Sequence, residues 1–171
     1  MKKFFTIILV AVAMMGCENK SLSHRFQELE KKAYSSVSAL NPELGEELVS
    51  CYCSYAEQNP DDAQSPDYLF KALDVSLNLS NPARSLDIAN TLLRQYPNYE
   101  MTPMALFIKG FIYEDRYHDN EMARQAYQSY IDNYPDGELV DDAKASIENL
   151  GVSIEDLVKK FEAENDCQKP F

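Results

Sequence analysis

Apolar side chains recur three and four positions apart along most of the chain, and prolines punctuate that pattern. Leu69, Ala72, Leu73 and Ser76 share one helical face, as do Leu86, Ala89, Leu92 and Leu93. Leu106, Phe107, Gly110, Phe111 and Tyr113 follow, then Ala123, Ala126, Tyr127, Tyr130 and Ile131. This is the period of amphipathic helices, and no run alternates long enough to predict a half-buried strand. The prolines set the boundaries. Asn41-Pro42, Ser65-Pro66, Asn81-Pro82 and Thr102-Pro103 each place a capping side chain before a residue lacking only an N–H that a first turn leaves unpaired anyway. Asn59-Pro60, Tyr96-Pro97 and Tyr134-Pro135 end helices, because proline disfavours helical geometry in the residue before it. The pattern predicts helices over 42–58, 66–79, 82–95, 103–117, 120–133, 138–149 and 153–164, with an eighth over 22–38. Gly151 suits the stop of one helix, and Ser153 with Asp156 the cap of the next.

The helices are spaced as a repeat. Pro60, Pro97 and Pro135 fall at nearly equal intervals. Ala72, Ser85 and Pro97 have successive spacings of 13 and 12, and so do Gly110, Ala123 and Pro135. A small residue in each of two helices, then a closing proline, predicts antiparallel helix pairs that cross closely, and bulk at Gly110 would push its pair apart. The expected fold class is all-α: a solenoid of stacked helix pairs, with seven or eight helices in all. The unit resembles the tetratricopeptide repeat (TPR), whose units are somewhat shorter, at about 34 residues. Leu106, Gly110 and Tyr113 match the first helix of that family's pattern, and Ala123, Tyr127 and Pro135 the second. Leu106 stands where the family has Trp and Lys109 where it has Leu, and each unit holds one extra residue between its helices.

The N-terminus is of another kind. Lys2 and Lys3 precede an apolar run from Phe4 to Met15, too short to span a bilayer and suited to a signal-peptide core. The run stops at Gly16-Cys17, which resembles the bacterial lipobox, with Met14 and Met15 at the positions usually held by Leu and by Ala or Ser. That resemblance implies cleavage before Cys17, lipidation of its thiol and a membrane anchor; the alternative is ordinary secretion after Ala11-Val12-Ala13. Three further cysteines remain. Cys51 and Cys53, two apart on a helix, cannot pair with each other and read as small apolar core residues. A bridge from Cys167 to either stays open.

Charge and composition narrow the function. The 171 residues carry 28 acidic and 16 basic side chains, a net charge of −12, which becomes −14 once Lys2 and Lys3 leave with the signal segment. Nucleic acid is therefore not an expected partner, since phosphate binding needs a basic face. No Gly-rich phosphate loop, G-x-S-x-G elbow, H-E-x-x-H or EF-hand spacing occurs. His24 and His118 stand apart in sequence, and Asp141-Asp142 suits a helix N-terminus without any catalytic role. No enzyme activity, cofactor, metal or small-molecule substrate is expected. Leu22, Phe26, Leu29, Ala33 and Leu40 form fewer than three heptads, which predicts a helix packed on the first repeat or a short stalk rather than a coiled coil.

A longer stretch resembles the BamD-like and YbgF-like envelope TPR proteins of Gram-negative bacteria. It runs through Ala105-Leu106-Phe107, Gly110, Tyr113-Glu114, Ala123, Tyr127, Tyr130-Ile131, Tyr134-Pro135, Asp141-Asp142-Ala143 and Leu150-Gly151. The resemblance covers residues 66–151. It implies a lipoprotein at the outer membrane facing the periplasm, scaffolding β-barrel assembly components, or alternatively a Tol-Pal-associated division or cell-wall accessory. It also implies a partner-binding face made of Leu69, Leu73 and Ser76 in one unit and Met104, Phe107, Phe111 and Glu114 in the other. Whether Phe107 and Phe111 form an open strip or core is left open by the residues themselves. The expected organisation is a signal peptide over 1–16, a tether and helix over 17–40, repeats over 41–151, and a capping helix and tail over 152–171.

Overall fold

Asn41 and Pro42 start the first long helix as expected. The Asn41 side chain accepts a hydrogen bond from the Leu44 N–H at 3.1 Å, and Pro42 occupies the first turn. The structure, a computed structural model, describes residues 24–33, 40–79, 81–153, 155–156 and 158–159. Every regular element among them is helical: α1 (24–33), α2 (Pro42–Gln58), α3 (Ser65–Leu77), α4 (Pro82–Gln95), α5 (Thr102–Ile112), α6 (Asn120–Asn133) and α7 (Val140–Asn149). The chain forms two compact units that divide between Asn81 and Pro82, inside the region expected to be one run of repeats. Ala72 and Ser85, expected at one close crossing, therefore fall in different units, although both are buried.

The predicted period survives as backbone hydrogen bonding. Three corners join successive helices by the same path. The carbonyls of Asn59, Tyr96 and Tyr134 accept from the N–H groups of Asp62, Tyr99 and Gly137. The carbonyls of Asp62, Tyr99 and Gly137 in turn accept from Ser65, Thr102 and Val140, at 3.0, 3.0 and 3.2 Å. In the first two corners a buried hydroxyl closes the turn, with Ser65 donating to the Asn59 carbonyl and Thr102 to the Tyr96 carbonyl, each at 2.6 Å. Ser65 and Thr102 are thus not the helix caps expected of them. Gln64 and Met101 hold the cap positions, and the hydroxyls satisfy the end of the preceding helix instead. In the third corner Val140 has no hydroxyl to donate; there the Tyr130 hydroxyl instead accepts from the Leu139 N–H at 3.2 Å, satisfying the start of the next helix rather than the end of the last. Gly137 makes that possible, because the Tyr130 hydroxyl lies 2.5 Å from where a Cβ would stand.

In the first unit α2 packs on α3, and α1 is bound to them by aromatic rings. Phe26 meets Tyr52, Tyr55 and Tyr68 edge-on, with centroids 5.2, 5.8 and 4.9 Å apart, while Tyr52 and Tyr68 stack. Glu30 accepts from the Tyr52 hydroxyl and pairs with Lys71 at 3.0 Å. Burial opposes its charge, but those two donors outweigh burial and hold its carboxyl below the usual range. The apolar stripe of α1 (Phe26, Leu29 and Ala33) is buried, which realises the expected packed helix; Leu22 lies outside the described residues.

In the second unit α5 packs on α4 and α6, and α6 on α7. Gly110 is buried, and a Cβ on it would stand 2.6 and 2.7 Å from Tyr127 ring carbons. The closest approach at Gly110 is thus of backbone against the Tyr127 ring, one turn along α6 from Ala123, which is itself fully buried. The expected helix over 103–117 ends in a π-helical turn at Tyr113–Tyr117, closed by His118 in the left-handed region (φ 52°). A π turn holds one residue more than an α turn, which accommodates the extra residue counted between these two helices.

Replacing Gly110 by Ala should lower stability. The Tyr127 ring is pinned by its hydroxyl bond to Glu114 at 2.7 Å and by Phe107 at 5.2 Å, so it has little room to yield. Overpacking costs about 1–3 kcal/mol, against about 1 kcal/mol gained in helix propensity. A second change, Tyr127→Leu, should make Gly110→Ala less costly; equal costs in both backgrounds, read by urea denaturation, would reject the contact. Alkali should act on the second unit through Tyr127, whose proton affinity is also raised, and on the first through Tyr55. Burial and the 2.9 Å bond from the Tyr55 hydroxyl to Asp62 push that phenol up to about 12. The folded state then holds the proton more tightly than the unfolded one, whose phenols titrate near ~10. Its contribution is complete below the unfolded value and is lost as pH rises through the folded one. Denaturation midpoints should therefore fall between pH 10 and 12, and less steeply in Tyr55→Phe.

Candidate functional site

The residues expected to form a binding face separate in the structure. Leu69, Leu73 and Ser76 are 3, 0 and 1% exposed, and the Ser76 hydroxyl donates to the Leu73 carbonyl at 2.8 Å. An apolar face identifies residues that share a side of a helix, and here that side is covered, so these three do not line an open surface. Phe107 is half-buried and turns onto Tyr127 and Tyr130, with centroids 5.2 and 5.9 Å away. Phe111, one turn later, is 42% exposed. The two phenylalanines do not form one strip. Glu114 is engaged by the Tyr127 hydroxyl, whose proton affinity is raised by burial and then by that carboxylate. Met104, the remaining residue of the expected face, lies in a groove.

That groove, of about 660 Å³, lies wholly within the second unit, between two successive corners. Glu100, Met101, Pro103 and Met104 come from the Tyr96–Thr102 corner and the start of α5. Tyr134, Pro135, Asp136, Gly137, Glu138 and Leu139 come from the corner between α6 and α7, and buried Tyr130 completes the lining. The same backbone bonds that close the corners hold both sides, and the Tyr130 bond to Leu139 fixes the second. Sequence reasoning missed this site, although a signal for it exists. Glu138 follows Glu100, and Leu139 follows Met101, by the same interval that separates Pro135 from Pro97. The proline period applied to exposed residues would have paired them.

Cys51 and Cys53 are half-buried, not core, and are not bonded to each other; Cys17 and Cys167 lie outside the described residues. Cys51 borders a hollow of about 320 Å³ with Arg25, Glu47 and Ser54. His118 is exposed, with Nδ1 3.2 Å from the Glu114 carbonyl. Among the described residues no group of three or more His, Cys, Asp or Glu side chains could hold a metal ion, and no helix is long and apolar enough to cross a membrane.

Two substitutions one turn apart should behave differently. Phe107→Ser removes a half-buried ring from the α5–α6 packing and should cost about 1–3 kcal/mol, less than the loss of a fully buried Phe. Phe111→Ser should stay within about 0.5 kcal/mol. Equal losses in thermal melts would show that both rings serve the core. No protein-family model matches the chain, and no curated protein is similar enough to be counted a relative.

Proposed function

We propose that this chain is a non-enzymatic helical-repeat scaffold of the TPR type, held at the outer membrane by a lipid on Cys17 and docking envelope proteins on its periplasmic side. The observation that carries the reading is the groove between two corners of identical backbone path. Repeats present successive corners at fixed spacing, and a groove between them offers a preformed binding surface. The anchor rests on the sequence: basic residues, a short apolar run and Gly16-Cys17. The envelope partners, β-barrel assembly components foremost, rest on the resemblance over residues 66–151.

A second reading, the Tol-Pal-associated coordinator type, would use an N-terminal coiled coil to trimerise. Burial of Phe26, Leu29 and Ala33 against the first unit favours the scaffold over that reading, since a helix whose apolar stripe is already covered has none left for a seam.

Cys17→Ser should move the protein from the detergent-extracted membrane fraction to the soluble periplasmic one. Cross-linking in intact cells, followed by mass spectrometry, should recover the wild-type chain with an envelope partner. Retention of Cys17→Ser in membranes would refute the anchor, and a chain that cross-links to no envelope protein would refute the scaffold.

A further inference from the structure

We propose that the groove between the Tyr96–Thr102 and Tyr134–Val140 corners binds an extended peptide segment carrying apolar side chains next to Lys or Arg. The inference rests on the scaffold reading and names its partner's chemistry. Three carboxylate residues border the groove, namely Glu100, Asp136 and Glu138; all are exposed, and among the described residues no cationic side chain lines it. Between them the surface is apolar or aromatic: Met101, Met104, Tyr134 and Leu139 are each partly exposed there. An apolar interior with a one-signed rim selects a segment that alternates apolar contacts with opposite charge. Methionine side chains adapt to apolar groups of varied shape, and tyrosines add area with a polar edge.

Carboxylates stand on both sides of the groove with apolar surface between them, and an extended strand, which sends alternate side chains to opposite sides, can set apolar groups inward and basic ones at the rim. Charge decides against a second copy of this chain, because a body of net charge −12 would meet an acidic rim.

The test uses the full chain and two nine-residue probes: one alternating Lys with Leu and Phe, the other with Glu in place of Lys. Methionine methyl signals report the site, with Met122 on α6, outside the groove lining, as the internal control. The basic probe should shift Met101 and Met104 saturably and leave Met122 in place, while the acidic probe shifts none. The variant Glu100→Gln, Asp136→Asn, Glu138→Gln changes only exposed residues and should weaken the basic probe at least tenfold at low salt, with an unchanged melting curve. Equal binding of both probes, or undiminished binding by the triple variant, would overturn the proposal. So would self-association in sedimentation that shields Met104, which would make a second copy the occupant. If the triple variant still cross-links to the same envelope partner as wild type, the groove is not the docking site while the scaffold stands, because wild-type capture alone tests the scaffold.

Discussion

A helix that stops before a proline leaves its last carbonyl groups without intrahelical donors, and they must find others nearby. In this chain the carbonyls of Asn59, Tyr96 and Tyr134 are answered in the same way, by the N–H groups of Asp62, Tyr99 and Gly137. That bond folds the connection into a fixed corner and commits the chain to a new helix within the next turn. The constraint is local, yet it sets everything downstream. The position of each corner fixes where the next helix begins, and so which side chains it presents to its neighbours. Two corners add a buried hydroxyl from Ser65 or Thr102, and the third recruits the Tyr130 phenol through the space left by Gly137. Three different side chains serve one backbone path, which is why the period shows more plainly in hydrogen bonds than in residue identity.

Given the corners, each unit solves its packing in its own way. The first gathers four aromatic rings at edge-to-face distances and ties the α1 helix in through Glu30 and Lys71. The second brings the α5 backbone onto the Tyr127 ring at Gly110, then commits the Tyr127 hydroxyl to Glu114. Two of the buried phenols, Tyr55 and Tyr127, donate to carboxylates, so each is satisfied and its proton is held more tightly. A polar group in such a place costs little once bonded and specifies one arrangement of rings.

The parts of this fold that follow from short-range chemistry were legible in the sequence. The bounds of α2, α4 and α6 fall where prolines, caps and periodicity put them. What escaped depends on how surfaces are covered. Periodicity grouped Leu69, Leu73 and Ser76 on one face but cannot say whether that face meets solvent or protein. Phe107 and Phe111 are neighbours by spacing, and the positions of the Tyr127 and Tyr130 rings draw one inward and leave the other out. Ser65 and Thr102 were misassigned because a hydroxyl can accept at a helix start or donate to a helix end, and only the corner geometry chooses. The π turn was announced by one surplus residue, though nothing in sequence says whether a loop or a helix will absorb it. The groove was hidden because its two sides come from corners a full repeat apart in the chain.

The electrostatic setting of the groove bears on how such a scaffold would work. Three carboxylates at the rim of a strongly acidic body create a field that extends about a Debye length, ~8 Å at physiological ionic strength. Such a field speeds encounter with basic segments and repels acidic ones, while holding the segment is left to the apolar interior. An interior lined by methionine and tyrosine favours breadth of recognition over tight binding. A lipid at Cys17 would make modest affinity sufficient, because confining scaffold and partner to one membrane surface turns their meeting into a local event with a raised effective concentration. On the proposed reading the anchor and the groove would be complementary: the first would supply proximity, so the second would need to supply only selectivity. A chain of this charge would gain little from anionic headgroups, which repel it, so the proposed anchoring would have to come from acylation rather than from charge.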